Sequence, residues 1–211
     1  MSPPAARARC TGVILAGGAN TRFHGRAKGL ELVGDRTIVE RVADALRTAT
    51  DDLLLVANAA DALGWLSGVR VASDLRRERG SLVGVHTALA RTGTNVLIVA
   101  WDMPWVSSEL LAALREDGEA HACAAVPESA HGVEPLCAYY PAAALSVADR
   151  LLDDGEMRLS MFVDALPCVR RFDAQRLASF GDPSRMFFNV NDDESLARAR
   201  AMARESASWR P

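Results

Sequence analysis

Hydrophobic positions along the chain fall into short continuous runs separated by stretches of helical period. The runs at 13–15 (Val-Ile-Leu), 53–57 (Leu-Leu-Leu-Val-Ala), 69–72 (Val-Arg-Val-Ala) and 95–100 (Asn-Val-Leu-Ile-Val-Ala) have strand length and are predicted as strands, the second as a buried parallel one. Between the first two, apolar residues at 38, 39, 42, 45 and 46 repeat with the period of an amphipathic helix. Residues 30–35 form a short strand or loop closing in a turn, and a short helix over 61–66 links the second and third runs. A charged loop at 75–81 leads into a helix over 82–90 with Ser81 as its cap. Pro104 ends the fourth strand, and Ser107-Ser108-Glu109 opens a helix running through Leu114.

Strand and helix alternate throughout this half, which predicts an α/β fold with an open, mostly parallel, Rossmann-like sheet and right-handed crossovers. The second half is less regular. Strands are expected over 122–126 and 136–140 with a loop at 127–134, and helices over 142–152 and 159–166. A strand beginning at Phe187 is expected to run into an acidic helix start at 192–194, the helix continuing to about Arg204. The expected organisation is one domain over 11–204, with a nucleotide-binding half at 11–116 and an acceptor-binding half at 117–204. Residues 1–10 form a mobile tail and 205–211 a frayed one.

In open sheets of this kind ligands sit beyond the carboxyl ends of the strands. The polar residues of the first half stand at those ends: the Gly17-Gly18 loop, Asn58, Asp74 and Asp102. The first loop, Leu15-Ala16-Gly17-Gly18 and onward to Lys28, joins glycines, whose backbone approaches a ligand closely, to the cations Arg22, Arg26 and Lys28. It is neither Gly-x-x-x-x-Gly-Lys-Ser/Thr nor Gly-x-Gly-x-x-Gly, so the two commonest phosphate loops are excluded. Asp102, held by Met103-Pro104, offers a hard oxygen ligand of the kind Mg²⁺ takes together with phosphate oxygens.

At 211 residues, 49% hydrophobic, with mean hydropathy +0.03, the chain can bury one core. A net charge of −3 supplies no basic field, so nucleic acid is not expected as a partner. No apolar run approaches the ~18 residues of a membrane span, and Arg7 and Arg9 precede no signal-type apolar segment, so a cytoplasmic protein is expected. Cys10, Cys123, Cys137 and Cys168 show no metal-type pairing and are expected as buried free thiols in a reducing compartment. The four histidines form no spaced pair.

Leu15-Ala16-Gly17-Gly18, Arg22 and Lys28-Gly29-Leu30 together resemble the signature of the molybdenum cofactor guanylyltransferases, the MobA family. Trp101-Asp102-Met103-Pro104 resembles that family's Asp-Met-Pro metal motif, Asn189-Val190-Asn191 its Asn-Val-Asn, and Gly155-Glu156-Met157-Arg158 its Gly-Glu-x-Arg stretch. Glu134-Pro135-Leu136 falls where the family usually carries His-Pro or a similar pair. The resemblance implies a fold like that of nucleotide-diphospho-sugar transferases. It also implies Mg²⁺-dependent transfer of GMP from GTP to the phosphate of the molybdopterin cofactor, with release of pyrophosphate. Catalytic roles would fall to Lys28, Arg22 and Asp102. Nucleotide binding would involve Leu15, Ala16, Gly17, Gly18, Lys28, Asn58, Asp74 and Asp102. Asp102 would hold the metal, with Asn191 as a second oxygen near it or a contact to the second substrate. Asn189 and Arg158 would face the acceptor. GTP and the molybdopterin-type cofactor would be the substrates, with transient contact to enzymes that make or receive the cofactor. The chain departs from the family pattern at Ala27, where Asp is usual, and at Arg22-Phe23-His24, where the glycine is displaced to Gly25. Two alternatives stay open: cytidylyl or related nucleotidyl transfer, and a non-catalytic nucleotide- or cofactor-binding role.

Overall fold

The structure, a computed structural model, describes residues 8–17 and 27–208. Its centre is the strand β1 (Cys10–Leu15), every residue of which is buried. Such burial requires helices over both faces and a strand at each edge, and β1 runs parallel to both β4 (Asp52–Val56) and β6 (Asn95–Ala100). The short β5 (Arg70–Ala72) continues the parallel array beyond β4. On the other flank, β9 (Cys137–Tyr140) lies antiparallel between β6 and β7 (Ala124–Ser129), and β10 (Val169–Phe172) adds parallel to β7 at the edge. The order β10-β7-β9-β6-β1-β4-β5 makes a mostly parallel sheet, as the alternation of runs predicts.

Successive side chains of a strand point to opposite faces, and two cores divide accordingly. Ile14, Leu55, Leu97 and Val99 pack against α1 (Ile38–Ala49) and α3 (Ser108–His121). Val13, Leu15, Leu54, Val56 and Ile98 pack against α2 (Ser81–Thr92), α4 (Leu145–Asp153) and α5 (Leu159–Ala165). Each fully buried Ile or Leu in these layers contributes about 1.5–3 kcal/mol relative to exposure. The start of α1 is fixed by a reciprocal cap: the Thr37 hydroxyl accepts the Glu40 N–H at 3.3 Å and Glu40 accepts the Thr37 N–H at 2.8 Å.

A third, smaller cluster carries the geometry of the site. The hairpin of β2 (Leu32–Val33) and β3 (Arg36–Thr37) turns at Gly34, whose φ of 73° suits glycine. The last helix, α8 (Asp193–Ser208), returns to cover it, so that Val33, Ile38, Val190, Leu196 and Ala199 share one core. The segment that leads into α8 is thereby brought back beside Lys28.

The differences from the expected elements have local causes. Ser81 is the first residue of α2 and caps nothing; the N-cap is Gly80, without a side-chain bond. Helix α3 continues past Leu114 to His121 because Arg115 is buried, bonded to Glu119, Asp51 and the carbonyls of Ala8 and Ala49, while Gly118 receives the Tyr139 ring. The expected loop at 127–134 contains a hairpin, β7 continuing to Ser129 and pairing with β8 (Gly132–Val133). No strand forms at Phe187: the short helix α7 (Pro183–Met186), after α6 (Ala174–Ala178), gives way to an irregular segment pinned by buried Phe187 and Val190. The last helix runs to Ser208 rather than fraying from 205.

Two of the four cysteines are not free thiols. Cys123 and Cys168 form a disulfide, while Cys10 and Cys137 are buried outside it. The pairing follows from the register: Ala124 is opposite Val169, so the residues preceding them lie side by side, with Cα atoms 5.0 Å apart.

Candidate active site

A cleft of about 1040 Å³ opens along the carboxyl ends of β1, β4, β5 and β6 and the start of β9. Leu15 and Gly17 line its floor, Ala16 beside them being tied to β4 through its N–H on the Val56 carbonyl at 2.9 Å. A Cβ at Gly17 would meet nothing among the described residues within 4 Å, and its φ is not in the glycine-only region. Its small size therefore keeps the cleft open rather than serving the packing around it. Gly18 and Arg22 lie outside the described residues.

Gly29 has the opposite cause. It sits flat on the Trp101 indole, where a Cβ would overlap the ring, and Trp101 in turn stacks on Trp65 with centroids 5.2 Å apart. This packing fixes the single turn Lys28–Leu30 over the end of β6. Lys28 Nζ then donates to Asp102 Oδ2 at 2.5 Å and to Asn191 Oδ1 at 3.0 Å. Asp102 is held from its own backbone: its carbonyl accepts the Val190 N–H at 2.9 Å, and the Trp101 N–H reaches the Leu15 carbonyl at 3.2 Å. Three segments distant in sequence thus meet around the Lys28–Asp102 pair.

The second oxygen of that carboxylate, Oδ1, is buried and has no hydrogen-bond partner among the described residues. A buried carboxylate oxygen left unbonded is costly, and a hard cation is the ligand that such an oxygen, with Asn191 Oδ1 nearby, suits. Asp102 and Asn191 therefore fit a divalent metal on the chemistry of their donors.

Asn58 and Asp74 bond to each other: Asn58 Nδ2 donates to Asp74 Oδ2 at 2.6 Å, and the Asp74 N–H donates to Asn58 Oδ1 at 2.9 Å. Both line the cleft. The segment after Asp74 is strapped down by the Leu75 N–H on the Thr87 hydroxyl at 3.0 Å and by Arg76, which reaches Asp153 at 2.7 Å and Asp149 at 3.2 Å. Arg77 and Arg79 are left along the cleft wall. The segment is irregular, as its charge pattern predicts, and its run of arginines directly after a strand end is the sequence signal for a charged cleft wall.

Of the expected acceptor-side residues, Asn189 lines the cleft and donates to the Phe187 carbonyl at 3.1 Å. Arg158 is not among the described residues lining it. Its guanidinium forks onto Glu156 at 2.9 and 2.5 Å and is 71% exposed. The Arg158 hydrogen bonds hold the Glu156 carboxyl down at about 2. Glu134 does line the cleft; burial raises its carboxyl above the ordinary glutamate range, against the hydrogen bond from Ser129.

A parallel sheet whose first turn is opened by glycine, with a lysine and a carboxylate facing each other across the end of a central strand, is the framework of a nucleotidyltransferase. The chain belongs to the MobA-like NTP transferase family, whose domain model matches residues 12–169. It is 37% identical over 193 residues to a molybdenum cofactor guanylyltransferase of Desulfosudis oleivorans, covering 90% of this chain and 94% of that protein. Its fold superposes with a TM-score of 0.80 on the crystal structure of molybdopterin-guanine dinucleotide biosynthesis protein A from Archaeoglobus fulgidus, at 26% identity over 92% of this chain and 99% of the other. A Mycobacterium tuberculosis protein crystallised in complex with manganese shares the fold at a TM-score of 0.64 and 23% identity, over 93% of this chain and all of that one.

Proposed function

We propose that the protein transfers GMP from GTP to the terminal phosphate of the molybdopterin cofactor and releases pyrophosphate. The observation that carries this reading is the convergence of Lys28, Asp102 and Asn191 at the end of β6, beside the glycine-opened turn after β1. An oxygen of the acceptor phosphate forms the new bond to the α-phosphorus as the bond to pyrophosphate breaks, so the site has to align two anions and offset charge rather than create a nucleophile. Lys28 supplies a fixed cation whose place is set by Gly29 on Trp101. The backbone at Leu15, Ala16 and Gly17, with Gly18, receives the triphosphate, and Arg22 adds a second charge. Asn58 and Asp74, already oriented by each other, face the base and ribose. Mg²⁺ held by Asp102 and Asn191 would supply electrostatic stabilisation of the phosphate oxygens. Asn189 and Arg158 are assigned to the acceptor, Arg158 on release from Glu156.

Two features support guanylyl over cytidylyl transfer: Leu-Ala-Gly-Gly at 15–18 and Asp-Met-Pro at 102–104. Among the described residues no helix is long and apolar enough to cross a membrane, and we place the protein in the cytoplasm, where GTP is available, with transient contact to enzymes that make or receive the cofactor. The test is pyrophosphate release with GTP, CTP and ATP in the presence of the molybdenum cofactor and Mg²⁺. Release with GTP and formation of the guanine dinucleotide is the expected result. Release with CTP alone, or none with any nucleotide, would refute the reading.

A further inference from the structure

The acceptor side of the cleft contains a carboxylate that the transfer reaction does not use. Glu134 stands in the connection between β8 and β9, and its position is fixed at three points. Its N–H donates to the Pro127 carbonyl at 2.9 Å, its carbonyl accepts the Cys137 N–H at 3.0 Å, and Oε1 accepts the Ser129 hydroxyl at 2.7 Å. No hydrogen bond to Oε2 is found among the described residues. The antiparallel register that sets Val99 opposite Cys137, with the Ala100 N–H on the Leu136 carbonyl at 2.8 Å, places the turn that carries Glu134 at the carboxyl end of β6, on the cleft that Asp102 also lines. Pro135, Leu136 and Leu159 form the adjoining apolar wall.

A half-buried carboxylate beside flat apolar surface is matched by a planar heterocycle with two adjacent N–H donors. The acceptor of the proposed reaction carries one: the pyrimidinone edge of a pterin presents N3–H and the 2-amino group side by side, at the spacing of two carboxylate oxygens. Guanine carries the same edge, but topology separates the two rings. Neighbouring strands are ~4.8 Å apart, so the ends of β4 and β5, with Asn58 and Asp74, lie roughly 14 and 19 Å from the start of β9. With the triphosphate at the end of β1, the nucleotide base falls towards Asn58 and Asp74, and the second ring towards Glu134. We propose that Glu134 reads the amino-pyrimidinone edge of the acceptor's pterin ring, with the Ser129 hydroxyl setting the plane of the carboxylate. The partial burial that raises the Glu134 carboxyl is the same desolvation that makes two N–H donors worth binding there.

The inference rests on the guanylyl-transfer reading for the identity of the acceptor, and its test is independent of turnover. Binding of fluorescent 6-hydroxymethylpterin, and of the matching lumazine in which a carbonyl replaces the 2-amino group, is measured on the full chain by ligand fluorescence. The native protein is expected to bind the pterin about tenfold more tightly than the lumazine, and Glu134→Gln to weaken the pterin by about 10- to 100-fold while abolishing the discrimination. Ser129→Ala, which keeps the charge and loses only its orientation, is expected to weaken the pterin by about threefold to tenfold. The rise in melting temperature with GTP and Mg²⁺ should be unchanged in both variants. Equal pterin affinity in native protein and both variants overturns the proposal, as does failure of the native protein to bind either ring. Loss of the GTP and Mg²⁺ response in Glu134→Gln also overturns it, since the carboxylate would then serve nucleotide or metal. Glu134-dependent pterin binding in a native protein that ignores GTP would leave this assignment standing and remove the transfer reading.

Discussion

Replacing Asp102 by Asn keeps the size of the side chain and removes its charge. Two losses of different magnitude follow. The Lys28–Asp102 bond at 2.5 Å is between groups only 15 and 13% exposed, so solvent screens it weakly. Charge-assisted hydrogen bonds of this kind contribute about 1.5–3 kcal/mol and neutral ones about half of that. The amide can still accept from the Lys28 ammonium but no longer offsets its charge, so the variant should lose up to about half of that contribution, about 0.8–1.5 kcal/mol of stability, or about 2–6 °C in melting temperature for a chain of this size. The buried Oδ1, which has no partner among the described residues, becomes either an amide N–H₂, which cannot ligate a cation, or a neutral oxygen, which holds one without the negative charge that Asn191 does not supply either. Loss of a transition-state electrostatic contact of this type costs about 10²–10³ in turnover. The two effects separate experimentally. Thermal melting without ligand reads the first; pyrophosphate release and the added stabilisation by GTP with Mg²⁺ read the second. A variant that melts normally, responds to GTP and Mg²⁺ as the native protein does, and turns over within about threefold of it would refute the assignment of Asp102 to the metal and the reacting phosphates.

Three further predictions come from other parts of the structure. Gly29→Ala should destabilise the fold by about 1–3 kcal/mol, since its Cβ would overlap the Trp101 ring, and should reduce activity beyond what the stability loss explains because Lys28 moves with it; melting and kcat/KM of the same sample test both. Reduction of the Cys123–Cys168 bridge, which closes a segment of 45 residues, should lower stability by about 4 kcal/mol on the chain-entropy account. It should leave transfer intact at temperatures where the reduced protein is folded, because the bridge joins the ends of β7 and β10 opposite the cleft; melting with and without reductant, and in the double Ser variant, is the measurement. Glu156 should titrate near 2 by carboxyl NMR, and Arg158→Ala should return it towards the usual 4.5. Because the folded value is the lower one, the pair stabilises the protein above about pH 4.5 and loses that contribution as pH falls towards 2.

The parallel half of the sheet was legible in the sequence because buried parallel strands are continuously apolar, and residues 95–100 and 53–57 differ from their surroundings in that respect alone. The site was legible for a related reason: a polar residue directly after such a run, such as Asp102 or Asn58, has a strand end as its address. Other features depended on information no local window contains. Strand β10 carries Arg170 and Arg171 on an exposed edge and has no apolar alternation. The disulfide needed the register of β7 against β10. The segment around Phe187 has the apolar content of a strand, but its buried residues anchor a loop whose Val190 N–H serves the Asp102 carbonyl. The meeting of Asn191 with Lys28, 163 positions apart, exists only because α8 packs back onto the β2–β3 hairpin. Arg158 had a motif to recommend it, yet its nearest acceptor is Glu156, two residues away.

The central claim is tested most directly by mixing purified protein, molybdenum cofactor and Mg²⁺ with GTP labelled on the α-phosphate and following the label. The account predicts that it passes to the cofactor in a one-to-one ratio with pyrophosphate released, that CTP and ATP substitute poorly, and that Asp102→Asn suppresses the transfer by at least about a hundredfold. Label that stays with free nucleotide, or transfer undiminished in the Asp102→Asn protein, would contradict it.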